Sequence, residues 1–227
     1  MKTNRFPQGK AEKGSKKWIQ NIVNRSPSSL DSRIREGGFL PEGKFISWLS
    51  PLATDNYAEY RDAGFLERLD LSAHKEGLLQ FWPSRGPQWD ALGVQQDLQR
   101  CYLVEAKANI PELVSTCQAK DPVSIRRIEE SLNITREHFC IDSNLTWLHG
   151  SYQYANRLAH LYFLREVAKV DAVLVLVYFL NDPTYLPTSH EAWQGALTLQ
   201  KKLMGISSHI LQKSVCEIFV DTGDIKE

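Results

Sequence analysis

Gly86-Pro-Gln-Trp-Asp90-Ala-Leu-Gly93, followed by Tyr102-Leu-Val-Glu105-Ala-Lys107-Ala108, is the stretch on which the reading of this chain turns. Two acids and a lysine stand among apolar residues that read as strands, where a charge is costly unless it has a partner. Side chains alternate along a strand, so Glu105 and Lys107 point one way while Val104 and Ala106 point the other. A hairpin turning at Asp97-Leu98 sets residue 90 opposite residue 105, and residues paired across an antiparallel ladder share a face. A slip of one residue would send Asp90 to the other side. The bland alternative makes Asp90 a turn-proximal acid and Glu105 with Lys107 an ion pair on an exposed strand. Leu103, Val104, Ala106 and Ala108 speak against it, because they put apolar groups on both faces of that strand.

Such a trio has a chemistry. Two adjacent carboxylates repel when both are ionised, and a divalent cation relieves that repulsion. Oxygen ligands favour a hard ion, Mg²⁺ or Mn²⁺. An ion so held polarises a phosphoryl oxygen and lowers the pKa of a bound water. Lys107 would orient that water or stabilise charge developing on the phosphate.

Working outward, Ser15 is expected to cap a first helix carrying Trp18, Ile19, Ile22 and Val23. The Ser26-Pro27-Ser28-Ser29 cluster breaks it, and a short helical piece through Ile34 ends at Gly37-Gly38. Residues Phe39 to Pro51 read as irregular, anchored by Phe45 and Trp48. A second helix is expected from Thr54 or Asp55 to Leu71, with Ala58, Phe65, Leu66 and Leu69 inward. Three strands follow: Gly77 to Trp82, Gln88 to Val94 and Cys101 to Ala108.

Beyond them, Asp121-Pro122 starts a helix. Ser151 to Lys169 is the strongest helical pattern, with Gln153, Asn156, Arg157 and His160 as its polar stripe. Ala172 to Leu180 is apolar without alternation, as a strand buried on both faces is. Thr188 and Glu191 read as a capping box for a helix through Met204, and Val215 to Val220 as the last strand. The order implies an α/β fold with a central mixed sheet flanked by helices.

Lys+Arg and Asp+Glu each number 27, so net charge names no partner. Distribution says more: Lys2, Arg5, Lys10, Lys13, Lys16 and Lys17 face the single acid Glu12. Such a segment condenses on a phosphate backbone or stands as a solvated terminus. Residues 1–15 are read as a flexible basic tail and 16–227 as one domain. Cys101, Cys117, Cys140 and Cys216 make no CxxC pair, and a reduced, cytoplasmic setting is the default. The longest apolar run, Ala172 to Leu180, is too short to cross a bilayer. There is no GxxxxGK[ST] loop, GxSxG elbow or HExxH pair. Trp82 and Trp89 flank a Pro83–Pro87 segment. They would stack on bases with Arg85 on a phosphate, or else pack in the core.

An Asp, a spacer and Glu-x-Lys on the next strand resemble the PD-(D/E)XK, or restriction-endonuclease-like, nuclease superfamily. The resemblance runs from about Asn56 to Leu180, with Trp89 standing where the family's proline would precede Asp90. It implies a restriction-endonuclease-like fold and Mg²⁺-dependent hydrolysis of phosphodiester bonds in DNA. Asp90, Glu105 and the Ala106 carbonyl would hold the metal, and Lys107 would support the attacking water. Many members add a glutamate from the preceding helix. Glu59 matches best, with Asp62 and Glu67 as rivals. A polar residue on the helix after the hairpin matches Gln153, with Arg157 and His160 one and two turns on. Arg85, Trp89, Lys16 and Lys17 are the expected nucleic-acid contacts. A homodimer suits a double-strand cutter, but no signal decides it. The same fold also serves a non-cleaving nucleic-acid-binding or assembly module. Hydrolysis of a small phosphorylated molecule would need a closed pocket.

Overall fold

The computed structural model describes residues 4–141, 146–207, 211 and 213–226. In chain order these form β1 (Arg5–Phe6), α1 (Gly14–Arg25), α2 (Pro27–Glu36), β2 (Ser47–Ser50), β3 (Glu59–Tyr60), α3 (Ala63–Arg68) and α4 (Lys75–Phe81). Then come β4 (Ala91–Gln95), β5 (Arg100–Lys107), α5 (Pro122–His138), α6 (Tyr152–Tyr162), β6 (Ala172–Leu180), α7 (His190–Met204) and β7 (Val215–Asp221). The fold is α/β: a five-stranded sheet in the order β2-β4-β5-β6-β7, flanked by helices. The sheet is mixed, because β2, β4 and β5 pair antiparallel while β5, β6 and β7 run parallel.

β6 shows why its sequence does not alternate. Leu174, Leu176 and Tyr178 enter one core with α5, α6 and α7, while Val173, Val175, Val177 and Phe179 enter a second core with α1 and α2. Both faces are covered, so every position is apolar. Burying each such side chain contributes roughly 1.5–3 kcal/mol. Among the described residues no helix is long and apolar enough to cross a membrane.

Several expectations are corrected. Gly77 to Phe81 is helical, not a strand, as part of α4, and Trp82 stands at its C-terminal cap. Leu78, Phe81 and Trp82 recur at helical spacing, and six residues are too few for the pattern to separate the two periods. The helix expected from Thr54 begins only at Ala63. Asn56 and Tyr57 take left-handed backbone angles that turn the chain after Asp55, and β3 intervenes. Phe39 to Pro51 contains the edge strand β2, and Phe45 is exposed rather than an anchor. Trp48 is buried, its indole N–H donating 3.1 Å to Asp31 on α2. Lys13 rather than Ser15 stands at the N-cap of α1, and Ser189 rather than Thr188 caps α7 by accepting from Ala192 N.

The basic segment expected to be a flexible tail is pinned from Asn4 onward. β1 pairs with β3, Arg5 pairs with Asp55 at 2.6 Å, and the Gln8 and Gly9 amides donate to the Asn56 carbonyl.

The edge of the sheet depends on a missing side chain. A Cβ on Gly93 would lie 2.5 Å from Ile46 Cγ2 and 3.1 Å from the Trp48 ring. Gly93→Ala is therefore expected to lower unfolding free energy by about 1–3 kcal/mol, as overpacking does. Urea denaturation checks it, and an unchanged midpoint would mean that β2 yields without strain.

Candidate functional site

The β4–β5 ladder pairs Ala91 with Val104 and Leu92 with Leu103, which sets Asp90 beside Glu105 where β4 begins. The turn lies at Gln96–Leu98, with the Gln95 side chain accepting from Leu98 N. Asp90 N donates 3.1 Å to the Val104 carbonyl, and Asp90 Oδ2 accepts from Ala106 N at 2.7 Å. The side chain thus takes a ladder position that the backbone leaves.

Glu105 and Lys107 share the face that packs on α6. Lys107 Nζ donates to Glu105 Oε1 at 2.5 Å and to Gln153 Oε1 at 2.8 Å. The Gln153 backbone is itself fixed, its main-chain N–H donating 2.8 Å to Ser115 Oγ. Arg157, one turn on, is buried. Its Nε donates 2.6 Å to Glu105 Oε2, and its Nη2 contacts the same oxygen. Nη2 also donates 2.9 Å to the Gln88 carbonyl and Nη1 2.8 Å to Asn156 Oδ1, while the guanidinium lies 4.9 Å from the Trp89 ring centre. Glu59 completes the cluster from β3, not from a helix. It is buried, accepts from Gln88 Nε2 at 2.5 Å, and has Lys16 Nζ 3.6 Å away.

Charge follows from this packing. Burial together with the charges of Glu105 and Glu59 pushes the Asp90 carboxyl up to about 8. Burial also raises Glu105, but Arg157 and Lys107 outweigh it and hold the group below the usual range. Burial would lower Lys107, yet Glu105 and Asp90 raise it. Glu59 is raised, mainly by burial.

The structure therefore brings Asp90, Glu105, Lys107, Gln153, Arg157 and Glu59 together, with Lys16 at the margin. The rivals of Glu59 are used elsewhere. Asp62 accepts from the Arg85 and Gly86 amides, and Glu67 pairs with Lys75 at 2.5 Å. Trp89 is fully buried, edge-on to Phe65, so the proposed stacking on bases is corrected: this ring is core. Trp82 is buried too, and exposed Arg85 belongs to the loop held by Asp62. Lys17 lies over the Trp18 ring at 4.4 Å.

His160 sits apart from the acids, its ring 5.0 Å from Trp82 and 6.3 Å from Trp89 and Phe65, with Nδ1 2.9 Å from the Asn156 carbonyl. Burial pushes it down to about 3, so it is neutral in the folded chain. An unfolded histidine protonates near 6.5, so the contribution is whole above that pH and is lost as pH falls toward 3. From pH 8 to pH 5 the loss is expected to be about 2 kcal/mol. Urea midpoints of wild type and His160→Phe check it, and equal pH slopes would refute it.

Sequence reasoning missed Gln88, which joins Glu59 to Arg157. The available signal was its position two residues before Asp90, on the same side of an extended chain.

Among the described residues no three His, Cys, Asp or Glu side chains stand as a metal-holding group. Two carboxylates remain, Asp90 with no donor to Oδ1 among the described residues and Glu105 with one donor on Oε1. That set fits Mg²⁺, which commonly binds through one or two carboxylates and keeps several waters. Compared with known proteins, the chain matches no family model, no curated protein and no solved structure.

Proposed function

We propose that this protein is a metal-dependent nuclease of the PD-(D/E)XK type, with a restriction-endonuclease-like fold, acting on phosphodiester bonds in DNA. The observation that carries the reading is the antiparallel β4–β5 pair, which sets Asp90 beside Glu105 and Lys107 at the edge of a buried polar cluster. Asp90 and Glu105 would hold Mg²⁺ or Mn²⁺, with the Ala106 carbonyl as a further oxygen and Glu59 behind them. The bound ion would supply Lewis-acid activation of the phosphoryl group and of a water. Lys107, held by Glu105 and Gln153, directs its ammonium group toward charge that develops on the phosphate. Lys16 and the other bases of the N-terminal segment meet the nucleic-acid backbone. The setting is the cytoplasm, and cutting both strands in one event would call for a homodimer. The test is plasmid DNA cleavage in Mg²⁺ by wild type and by Asp90→Ala. Loss of cutting in the variant supports the reading, and cutting at the wild-type rate sinks it.

One observation favours a second reading, a non-cleaving nucleic-acid-binding module. Glu105 is paired with both Lys107 and Arg157, Glu59 lies 3.6 Å from Lys16, and burial with the neighbouring acids holds the Asp90 carboxyl up at about 8, so the cluster is satisfied without an added ion. Its signature would be DNA binding that survives Asp90→Ala and Lys107→Met and falls when Lys10, Lys13 and Lys16 are neutralised.

A further inference from the structure

A carboxylate offers about four lone-pair positions to donors or cations. On Glu105, Arg157 Nε donates to Oε2 at 2.6 Å and Nη2 reaches the same oxygen, while Lys107 donates to Oε1 at 2.5 Å. Oε2 is thereby filled, and Oε1 keeps one position. Asp90 is restricted in the same way, since Oδ2 accepts from Ala106 N at 2.7 Å and only Oδ1 lacks a donor among the described residues.

Arg157 is not free to step aside. Its remaining donors meet the Gln88 carbonyl at 2.9 Å and Asn156 Oδ1 at 2.8 Å, and its guanidinium is buried 4.9 Å from the Trp89 ring centre. The clamp is therefore built into the fold rather than borrowed from a mobile side chain.

Single-oxygen carboxylates suit one class of cation. Mg²⁺ demands a near-octahedral shell and takes one or two carboxylates with several waters, whereas Ca²⁺ gathers six to eight oxygens and uses two-oxygen carboxylates readily. We propose that Arg157 is a positioning residue that confines Glu105 to one-oxygen coordination and so sets the site's preference for Mg²⁺ and Mn²⁺ over Ca²⁺. This rests on the metal reading given above. Removing the guanidinium charge would strengthen binding of every divalent ion alike. The ratio of Ca²⁺ to Mg²⁺ affinity is therefore the readout that a merely structural or charge effect does not move.

The experiment titrates the full chain with Mn²⁺, follows the free ion by electron paramagnetic resonance, and competes it off with Mg²⁺ or Ca²⁺. Wild type, Arg157→Gln and Arg157→Lys are compared, each checked for folding by circular dichroism. The expected result is Mg²⁺ above Ca²⁺ in wild type, and a shift of the ratio toward Ca²⁺ of about tenfold in Arg157→Gln. Arg157→Lys keeps the charge but lacks the two-pronged hold on Oε2, so a smaller shift in the same direction is expected. It also decides the matter should Arg157→Gln fail to fold. Folded variants with the wild-type ratio overturn the inference and leave the metal reading standing. Wild type that binds neither Mn²⁺ nor Mg²⁺ overturns both.

Discussion

On the proposed nuclease reading, Lys107→Met is expected to lower Mg²⁺-dependent DNA cleavage by about 10²–10³-fold, the usual loss when one donor to developing charge is removed. The ammonium group is held at two points, Glu105 Oε1 and Gln153 Oε1, which fixes where its positive charge lies. Methionine keeps an unbranched stem of similar length, so packing against the sheet changes little while the charge and all three donors vanish. Glu105 stays paired, because Arg157 still holds Oε2. A group that acts on the transition state lowers kcat with kcat/KM, whereas a group that merely binds substrate raises KM alone. Single-turnover cleavage of plasmid DNA separates the two. Cleavage by Lys107→Met at the wild-type rate would remove Lys107 from the chemistry.

Arg157→Ala is expected to destabilise the fold by about 3–5 kcal/mol, the cost of breaking a buried ion pair from one side. The substitution strips Oε2 of both its donors and leaves the Gln88 carbonyl and Asn156 Oδ1 without the partners they have now. It also opens a space beside the fully buried Trp89. Double replacement, Glu105→Gln with Arg157→Met, removes both charges and keeps most of the volume, so it is expected to recover part of the loss. Urea unfolding of the single and double variants gives the coupling directly. Equal destabilisation by the single and double changes would mean that lost packing, not the stranded carboxylate, is the cause.

Sequence alone determined the elements whose signal is local. Ala172 to Leu180 had to be a strand covered on both sides, because nine apolar positions in a row serve two cores at once. Asp121-Pro122 had to open a helix, since the carboxylate accepts from Ser124 N and proline needs no helical partner. A turn at Asp97-Leu98, read from the sequence, sets residue 90 opposite residue 105, and the observed ladder has that register.

The tertiary structure alone decided which distant groups meet. Glu59 reads as a helix residue until two left-handed backbone angles at Asn56 and Tyr57 turn it onto a strand against the N-terminal segment. Arg157 belongs to a polar stripe that would face water on an isolated helix. It is buried because Glu105, Gln88 and Asn156 together satisfy its donors. The N-terminal bases look like a free tail until β3 offers its edge to β1. Short-range patterns record hydrophobic period and turn chemistry. They hold no record of which partner a charge will find once the chain has closed on itself, and at this site that pairing sets both the electrostatics and the open oxygens.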